Sequence, residues 1–438
     1  MANIKPFKGY FYNSEKVGDI ATVVAPTRYN STPEEQDALY NMNEYNAIRL
    51  FDGRTMTLDN ERENKYTRAR DNLKNWIEND ILVRDKEEAI YLYEETVELN
   101  GTKYQNLTYV TLLELEELGN DVHMCEEIRE ISRQDRYDLL EATNSDLSMI
   151  SCLYIDRNKQ LYRLMTDLSH SEPEIEFDSK DFDMHQRIWR ITDKEIIKGI
   201  CHYMKRLKLY ITDGQTRYNA ALKYREIMKE KNPNHTGTEP YNYTMVSLID
   251  SNSDGIAIMP EHRKIKVPSG YSEELLVALA QDHFKVEKII VDSQDEPITE
   301  TMKKQIQTKS LNTCLAIYSG GNYFYRLTLT DTDYIKDNLL PEMSKYYCGV
   351  DTVVLRKLII NDIFGIEEDY KDLVSTSIST RECVRAIENG EADVMVVLNR
   401  VKAEEIEKVT EAKELFPFRT LSIFPRPSVG AIINVKED

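Results

Sequence analysis

The 438-residue chain lacks a long apolar run and lacks a basic surface. No segment approaches the ~20 consecutive apolar residues that a membrane-spanning helix needs, and residues 1–7 lack the apolar stretch of a signal peptide. The 56 Lys and Arg residues against 76 Asp and Glu give a formal net charge of -20, which repels polyanions such as DNA. We therefore expect a cytoplasmic protein with neither a membrane nor a nucleic acid as its partner. A homo-oligomer is left open.

The chain also lacks the recognised sequence motifs for binding metals and nucleotides. Its six cysteines are widely spaced and include no Cys-x-x-Cys pair, which argues against a zinc ribbon. His123, His185 and His262 lie far apart in sequence, so no metal site is predicted. The Walker phosphate loop and the dinucleotide glycine fingerprint are both absent. Any phosphate chemistry must therefore depend on a shorter motif.

What the chain does have is enough length and apolar residues for two or three domains. Helical and strand patterns are mixed without strict alternation, which predicts an α/β, mixed α+β, fold. We divide the chain into residues 1–115, an N-terminal α/β region with a hairpin, residues 116–268, a core with the motif described below, and residues 269–438, a C-terminal α/β domain.

Local signals predict several elements. Thr32 and Glu35 flank Pro33 as a capping box that begins a helix. Residues 88–113 are predicted to form a β-hairpin around Asn100-Gly101, the strongest short turn signal. The acidic stretch from Asp167 to Asp183 is predicted to be a loop.

The most informative motif is Asp213-Gly214-Gln215-Thr216-Arg217, between a strand pattern ending at Ile211 and a helical pattern. Glycine at this junction allows close approach of the backbone to a ligand. Helix N-terminal amides and the forked Arg217 side chain suit an anion. Asp213 could accept a proton or orient Arg217, so these five residues are our first candidate site. The alternative, equally open, is a simple helix start capped by Asp213.

Two further candidates follow from other blocks. Glu126, just before a predicted helix, could act as a catalytic carboxylate, although acidic residues are also favoured in a first helical turn for electrostatic reasons alone. His262 and Arg263 follow a predicted strand and could hold an anion, but a solvent-facing pair is at least as common.

Taken together, blocks along nearly the whole chain resemble a bacterial and archaeal family called domain of unknown function ten-fifteen. The blocks are Lys5-Pro6-Phe7, residues 17–26, residues 33–50, Leu82-Val83-Arg84-Asp85, Leu139-Leu140-Glu141-Ala142-Thr143, residues 209–218, residues 241–263 and, more weakly, residues 414–430.

Gly214, Arg217 and Ala220 are also similar to the Gly-x-x-Arg-x-x-Ala box of the ParB and sulfiredoxin superfamily. That resemblance implies a ParB/sulfiredoxin-like core with a mixed sheet. It also implies a pocket for a nucleotide or other small phosphate compound, with ATP and Mg²⁺ as the expected cofactors of an ATP-dependent small-molecule phosphotransferase connected to serine metabolism. The same resemblance would also allow a ParB-like DNA-binding protein, but the net charge of -20 argues against it.

The chain departs from the family pattern at four places. Gln215 and Thr216 stand where the family has two histidines, and Met124-Cys125-Glu126 replaces Pro-His-Glu. Residues 25–30 lack the family's aspartate, and residues 416–421 replace its Met-Pro-x-Lys-Ser-Thr. An amide and a hydroxyl cannot replace histidine as a base near neutral pH. The alternative to an enzyme is therefore a catalytically reduced paralogue that binds a metabolite and has a regulatory role.

Overall fold

The chain forms two compact units in a computed structural model. The first comprises Met1–Met124, Ile128–Ala257 and Ile423–Asp438, and the second comprises Cys125–Glu127 and Ile258–Ser422. The structure describes residues 2–27, 32–99, 102–127, 130–179, 184–253, 255, 257–268, 272–292, 297–307, 313–367 and 373–437, with only the backbone described at residues 99, 102, 130–133 and 257. The mixed α+β class predicted from the sequence is confirmed by the sheets and helices of both units. The division at residues 115 and 268 stays a prediction.

The first unit is built around a large mixed sheet. Its strands, in spatial order, are Val122–Met124, Leu209–Asp213, Ile150–Tyr154, Tyr243–Asp250, Thr102–Glu114, Ile90–Leu99, Met184–Ile191 and Ile175–Ser179, with Ile4–Lys5 also paired to Thr102–Glu114. Leu209–Asp213 runs parallel to Val122–Met124 and antiparallel to Ile150–Tyr154. The strand that carries the motif therefore lies between two others, and its far end is the point where the chain turns into a helix.

The first unit also contains helices and two small sheets. The helices are Ser14–Val17, Pro33–Met42, Ile48–Phe51, Lys65–Glu78, Glu130–Thr143, Gln160–Leu168, Lys194–Met204 and Gln215–Lys231, with single turns at Ile20–Thr22 and Pro240–Asn242. Two small sheets pair Tyr10–Tyr12 with Leu82–Arg84 and Ser145–Asp146 with Asn434–Val435. Apolar side chains from the sheet and from helix Gln215–Lys231, including Ile211, Tyr218 and Ala221, form one buried cluster.

The predicted local signals are confirmed where they are described. Thr32 Oγ1 accepts the amide of Glu35 at 3.2 Å, and the Glu35 carboxylate accepts the amide of Thr32 at 2.9 Å. Strands Ile90–Leu99 and Thr102–Glu114 pair antiparallel as the predicted hairpin. Its Asn100-Gly101 turn lies outside the described residues.

The expectation of a loop between Asp167 and Asp183 was wrong. Helix Gln160–Leu168 reaches into this stretch, and Ile175–Ser179 forms the edge strand of the large sheet, paired antiparallel with Met184–Ile191. The stretch is acidic, but buried and exposed side chains alternate within it. Phe177 and Ser179 are buried, while their neighbours Glu176 and Asp178 are exposed. That period of two is enough for an edge strand, which needs only one buried face.

The second unit has its own sheet, in which all described pairs are antiparallel. Its strands in spatial order are Phe284–Ile290, Tyr323–Leu329, Cys314–Tyr318, Val394–Val397, His262–Ile265 and Val374–Ser377. Its helices are Glu273–Ala280, Ile298–Ile306, Lys345–Cys348, Asp351–Val354, Thr380–Glu388 and Ala403–Glu411, with wider π-helical turns at Ile335–Leu339 and Leu355–Ile363. Strands Ala257–Pro260 and Leu421–Phe424 each contain a point where the chain passes from one unit to the other.

Candidate functional site

The Asp213–Arg217 motif occupies a strand-to-helix junction in the first unit. Strand Leu209–Asp213 ends at the motif, and helix Gln215–Lys231 begins directly after Gly214. Gly214 has φ +89° and ψ +19°, a left-handed conformation that only glycine adopts without strain. Because glycine has no side chain to cap the helix, the first amides of a 17-residue helix depend on other partners, and their partial positive charge favours an anion.

The space beside Gly214 is filled by the guanidinium of Arg217. A Cβ at position 214 would lie 2.7 Å from Arg217 Nη2 and 2.9 Å from its Nε. Nη2 donates to Asp213 Oδ2 at 2.8 Å and to the carbonyl of Met149 at 2.9 Å. Both side chains of the ion pair are mostly buried. Gly214 is therefore required twice, for its backbone angle and for the room it leaves to Arg217.

A second arginine approaches the same carboxylate. Arg426 Nη1 lies 3.9 Å from Asp213 Oδ1, so two guanidinium groups face one carboxylate. Asp213 is therefore in hydrogen-bond contact with Arg217, and its role, whether to orient Arg217 or to accept a proton, stays a prediction. Two guanidinium groups and one carboxylate therefore lie together at this junction of a strongly acidic protein.

Gln215 and Thr216 supply no proton-transfer group at this junction. Gln215 is buried, and its Nε2 donates to the carbonyl of Ile211 at 3.3 Å. Thr216 is half-buried, and its hydroxyl is a poor base near neutral pH. The side chain at position 215 therefore contributes to the local backbone hydrogen bonding, while imidazole chemistry is absent at both positions.

A second group of candidate residues comes together in the second unit. Phe416 forms a parallel bridge with Glu126 and donates its amide to the carbonyl of Cys125 at 2.7 Å. The carboxylate of Glu126 accepts the amide of Leu421. Three blocks distant in sequence, around residues 126, 262 and 419, are joined through these contacts and those of Arg263.

The Arg263 side chain donates hydrogen bonds to two backbone carbonyls of this group. Its Nη1 donates to the carbonyl of Glu261, and its Nη2 donates to the carbonyl of Arg419 at 3.0 Å. Arg419 in turn places Nη1 3.5 Å from Glu261 Oε1 and has a left-handed φ of +64°, a conformation that costs a non-glycine residue free energy and often marks functional sites.

Burial makes the carboxyl group of Glu126 an unusually weak acid. Its side chain is surrounded by protein, and this desolvation, with repulsion from the nearby Glu261 carboxylate, raises the pKa of Glu126 to about 8 in spite of the hydrogen bond from Leu421. A carboxyl group with a pKa near the working pH can both hold and release a proton. Glu261 is itself buried, and its Oε2 has no hydrogen-bond partner among the described residues.

His262 lies in the interior of the second sheet. It is 2% exposed, and its Nδ1 accepts the amide of Leu398 at 3.2 Å. Burial, aided by Lys303 and Arg263, lowers the pKa of His262 to about 3, so the ring is neutral near pH 7. A neutral histidine with one nitrogen engaged contributes little to an anion site, and its binding role stays a prediction.

The predicted site residues therefore divide between the units. Asp213, Gly214, Gln215, Thr216 and Arg217 belong to the first unit, whereas Glu126, His262 and Arg263 belong to the second.

Sequence reasoning did not single out Glu261, Arg419 or Arg426. Arg419 lies within residues 416–421, a block that the family comparison had marked as altered, and this was the available signal. Among the described residues, no group of three or more His, Cys, Asp or Glu side chains is arranged to hold a metal ion. In the same part of the chain, no helix has both the length and the apolar character needed to cross a membrane.

The fold and the junction define a mixed α+β protein in which a sheet strand passes through a left-handed glycine into an arginine-bearing helix. The model of the family described as "Protein of unknown function (DUF1015)" matches residues 4–353. The chain belongs to this family, which confirms the resemblance seen in the sequence. A relation to the ParB and sulfiredoxin superfamily stays a prediction.

Several solved structures are distantly similar. A free serine kinase in complex with AMP has 10% identity and a TM-score of 0.32, over 72% of this chain and 86% of that one. SbnI with a C-terminal truncation, from Staphylococcus aureus, has 12% identity and a TM-score of 0.34, over 74% and 87%. A conserved hypothetical protein from Pyrococcus furiosus has 12% identity and a TM-score of 0.32, over 75% and 95%. Similarity at this level assigns no ligand to the chain. A comparison with curated proteins finds no significant match.

Proposed function

We propose that the first unit binds a small phosphate compound, preferably a nucleotide, at the start of helix Gln215–Lys231. The observation that carries this proposal is the left-handed Gly214, which begins the helix without a side chain and leaves its amides to an anion. Arg217 and Arg426 add positive charge at the same place. Two arginines at one helix start favour an anion there, even though the protein as a whole has a net charge of -20.

The residues fit a phosphate group better than they fit Mg²⁺. The carboxylate of Asp213 faces two guanidinium groups, at 2.8 Å from Arg217 and 3.9 Å from Arg426. Mg²⁺ prefers carboxylate and water oxygens in octahedral geometry, and an oxygen already bonded to an arginine is a poor ligand. A nucleotide, when bound, would supply the phosphoryl group, while the chain would bind and orient it. We assign no step to a metal.

Calorimetric titration with ATP, CTP and phosphoserine, each with and without Mg²⁺, tests the binding proposal. Arg217→Lys keeps the charge but loses the planar fork, and it should weaken binding by about 10- to 100-fold, as expected for a lost hydrogen bond to a charged group. The matched control is Arg225→Lys, because Arg225 lies on the same helix but donates to Leu115 and Glu226. The absence of heat with all three ligands would end the proposal.

The finer proposal is an ATP-dependent phosphotransferase acting on a small molecule, with the connection to serine that the family resemblance implies. Glu126 is its candidate proton acceptor, since its pKa near 8 suits a base working close to neutral pH. Glu126→Gln preserves the shape and the acceptor for Leu421. It should abolish turnover without changing nucleotide affinity. Turnover that persists in Glu126→Gln would remove Glu126 from the reaction.

A catalytically reduced, metabolite-binding regulatory protein is the second candidate. The observation that favours it is Gln215, which is buried and bonded to Ile211 where the family resemblance places a histidine. Binding of a nucleotide without any transfer to serine or to water, measured by phosphate release, would support this candidate. Restoring a histidine with Gln215→His and recovering turnover would show which group was lost.

A further inference from the structure

Strand Phe284–Ile290 forms one edge of the sheet in the second unit. It pairs antiparallel with Tyr323–Leu329, and the described strands include no second partner for it. An edge strand presents a row of backbone amides and carbonyls that another extended chain can pair with. The strand has seven residues, which is long enough for the sheet to continue through it into a second molecule.

Three exposed apolar side chains belong to this strand and to the helix that precedes it. Ile290 is 71% exposed, and Leu275 and Leu279 are exposed on helix Glu273–Ala280. The helix lies on the same face of the sheet as Ile290, because its first residue accepts a hydrogen bond from the hydroxyl of Tyr323, which is paired with Ile290. Large apolar side chains exposed on consecutive elements are typical of an interaction surface.

Oppositely charged side chains lie along the same edge. Lys285 and Glu287 point to one face of the sheet because they are two residues apart, and Lys285 Nζ lies 3.1 Å from Glu287 Oε1. Arg326 Nη2 lies 2.8 Å from Glu287 Oε2. Lys288 points to the other face, where its Nζ lies 3.5 Å from the centre of the Tyr323 ring. One basic and one acidic side chain therefore follow the edge on the same face.

These charges select one register for pairing of the strand with a second copy of itself. In a two-fold antiparallel pair, opposite residues point to the same face, so the symmetry axis passes through one residue. An axis at Lys285, Glu287 or Lys288 places that charged residue opposite itself, which is destabilising. An axis at Val286 places Lys285 of each copy opposite Glu287 of the other, and opposite charges across a strand pair are stabilising.

The same register brings the exposed apolar side chains together. With the axis at Val286, Ile290 lies opposite Asp282 of the second copy. The amide of Asp282 donates to the carbonyl of Leu279 at 3.2 Å, so this residue lies directly at the end of helix Glu273–Ala280. Ile290 of each copy thus comes next to the helix end that carries Leu279 in the other. The register selected by charge is therefore also the one that covers apolar surface.

An edge of the large sheet in the first unit has a different charge pattern. Strand Ile175–Ser179 exposes Glu176 and Asp178 on one face, so pairing of this strand with itself would place carboxylates opposite each other. A lysine at an edge usually opposes pairing as well. Lys285 differs because Glu287 follows two residues later, and a self-complementary register then gives the lysine an acidic partner.

We propose that the protein forms a symmetric dimer in which strand Phe284–Ile290 pairs antiparallel with the same strand of a second copy, with Val286 on the two-fold axis. The interface consists of one strand pair and the adjacent helix ends. It is therefore small, and we expect a weak dimer with a dissociation constant on the order of 10 μM. The dimer does not depend on the phosphate site proposed for the first unit.

Sedimentation velocity of the full-length protein, from about 1 to about 300 μM, measures this equilibrium around the expected dissociation constant. The wild type should pass from monomer to dimer as its concentration rises. Lys285→Glu places like charges opposite each other and should weaken dimerisation about ten-fold. Ile290→Asn should weaken it by removing the apolar contact. Lys103→Glu is the matched control, because it makes the same charge change at an exposed strand residue of the first unit, and it should dimerise like the wild type.

A charge exchange between two variants tests the register itself. Glu287→Lys alone should dimerise weakly, yet an equimolar mixture of Lys285→Glu and Glu287→Lys should form a mixed dimer, because every acidic side chain then faces a lysine. Recovery on mixing would not occur if the variants were simply misfolded. A wild type that stays monomeric at every concentration, or a Lys285→Glu variant that dimerises as well as the wild type, would overturn the inference. If Glu287→Lys fails to fold after losing Arg326, the results for Lys285→Glu and Ile290→Asn decide.

Discussion

Replacing Gly214 with alanine is the perturbation whose cost the structure defines best. The left-handed backbone, φ +89°, costs an alanine about 1–2 kcal/mol. The new Cβ would meet Arg217 Nη2 at 2.7 Å, which is closer than atoms pack, so the guanidinium must move. Moving it breaks the 2.8 Å bond to Asp213 and the 2.9 Å bond to Met149, worth about 1.5–3 kcal/mol for a charged hydrogen bond in a mostly buried place. The sum is a loss of about 2.5–5 kcal/mol in the free energy of unfolding.

The control for this prediction is Gly119→Ala. Gly119 has a similar φ of +98°, but a Cβ there would have no heavy atom of a described residue within 4 Å. It should therefore lose only the backbone contribution of about 1–2 kcal/mol. The difference between the two variants isolates the collision with Arg217.

The assay is urea unfolding followed by tryptophan fluorescence. Both tryptophans, Trp76 and Trp189, are buried in the first unit, so their emission reports on the unit that carries Gly214. Equal losses in Gly214→Ala and Gly119→Ala would refute the reasoning. A second check is the double variant of Gly214→Ala with Arg217→Ala, in which the collision is gone and the two losses should not add.

Other expected outcomes concern ionisation and thiol reactivity. Burial raises the pKa of Glu95 to about 8 from 4.5, so in this window the folded protein holds a proton that the unfolded chain has released. Stability should fall as pH rises from about 5 to 8, by up to about 1.4 kcal/mol per pH unit, and Glu95→Gln measured by urea unfolding should flatten that slope. An unchanged slope would contradict the assignment. The ring signals of His262, with its pKa lowered to about 3 by burial, should show no titration by NMR between about pH 5 and 8. Cys201 is the half-buried thiol among six free cysteines and should react first with a thiol reagent in the folded protein, whereas faster labelling of buried Cys152 would contradict the packing.

Short-range signals in the sequence were sufficient for several elements. The capping box of Thr32 and Glu35 was predictable because the bonds join residues three positions apart. The hairpin of Ile90–Leu99 and Thr102–Glu114 was predictable because its strands follow one another in sequence on either side of the Asn100-Gly101 turn signal. The turn at Gly214 and the pair of Asp213 with Arg217, one helical turn apart, also depend on neighbours in the chain.

Composition led to a wrong prediction where the alternation of apolar and polar residues was weak. The stretch from Asp167 to Asp183 is acidic, and its edge strand, Ile175–Ser179, buries only alternate residues. The end of the chain has a pairing that local signals do not reveal, because Asn434–Val435, within the first unit, pairs with Ser145–Asp146. No local propensity contains that information, because the strand is two residues long and its partner lies far away in sequence.

By itself, the sequence determined the family, the mixed α+β class and the glycine-to-helix junction, since each depends on residue order or on contacts between near neighbours. Only the tertiary structure decided which distant residues share an environment. It placed Ser148, whose hydroxyl has no hydrogen-bond partner among the described residues, in the lining of one cavity with Arg136 and Arg217. It also buried Glu126 deeply enough to raise its pKa to about 8. The physical reason is that desolvation, cavity shape and charge compensation arise from groups brought together by folding, and chain spacing does not encode their distances.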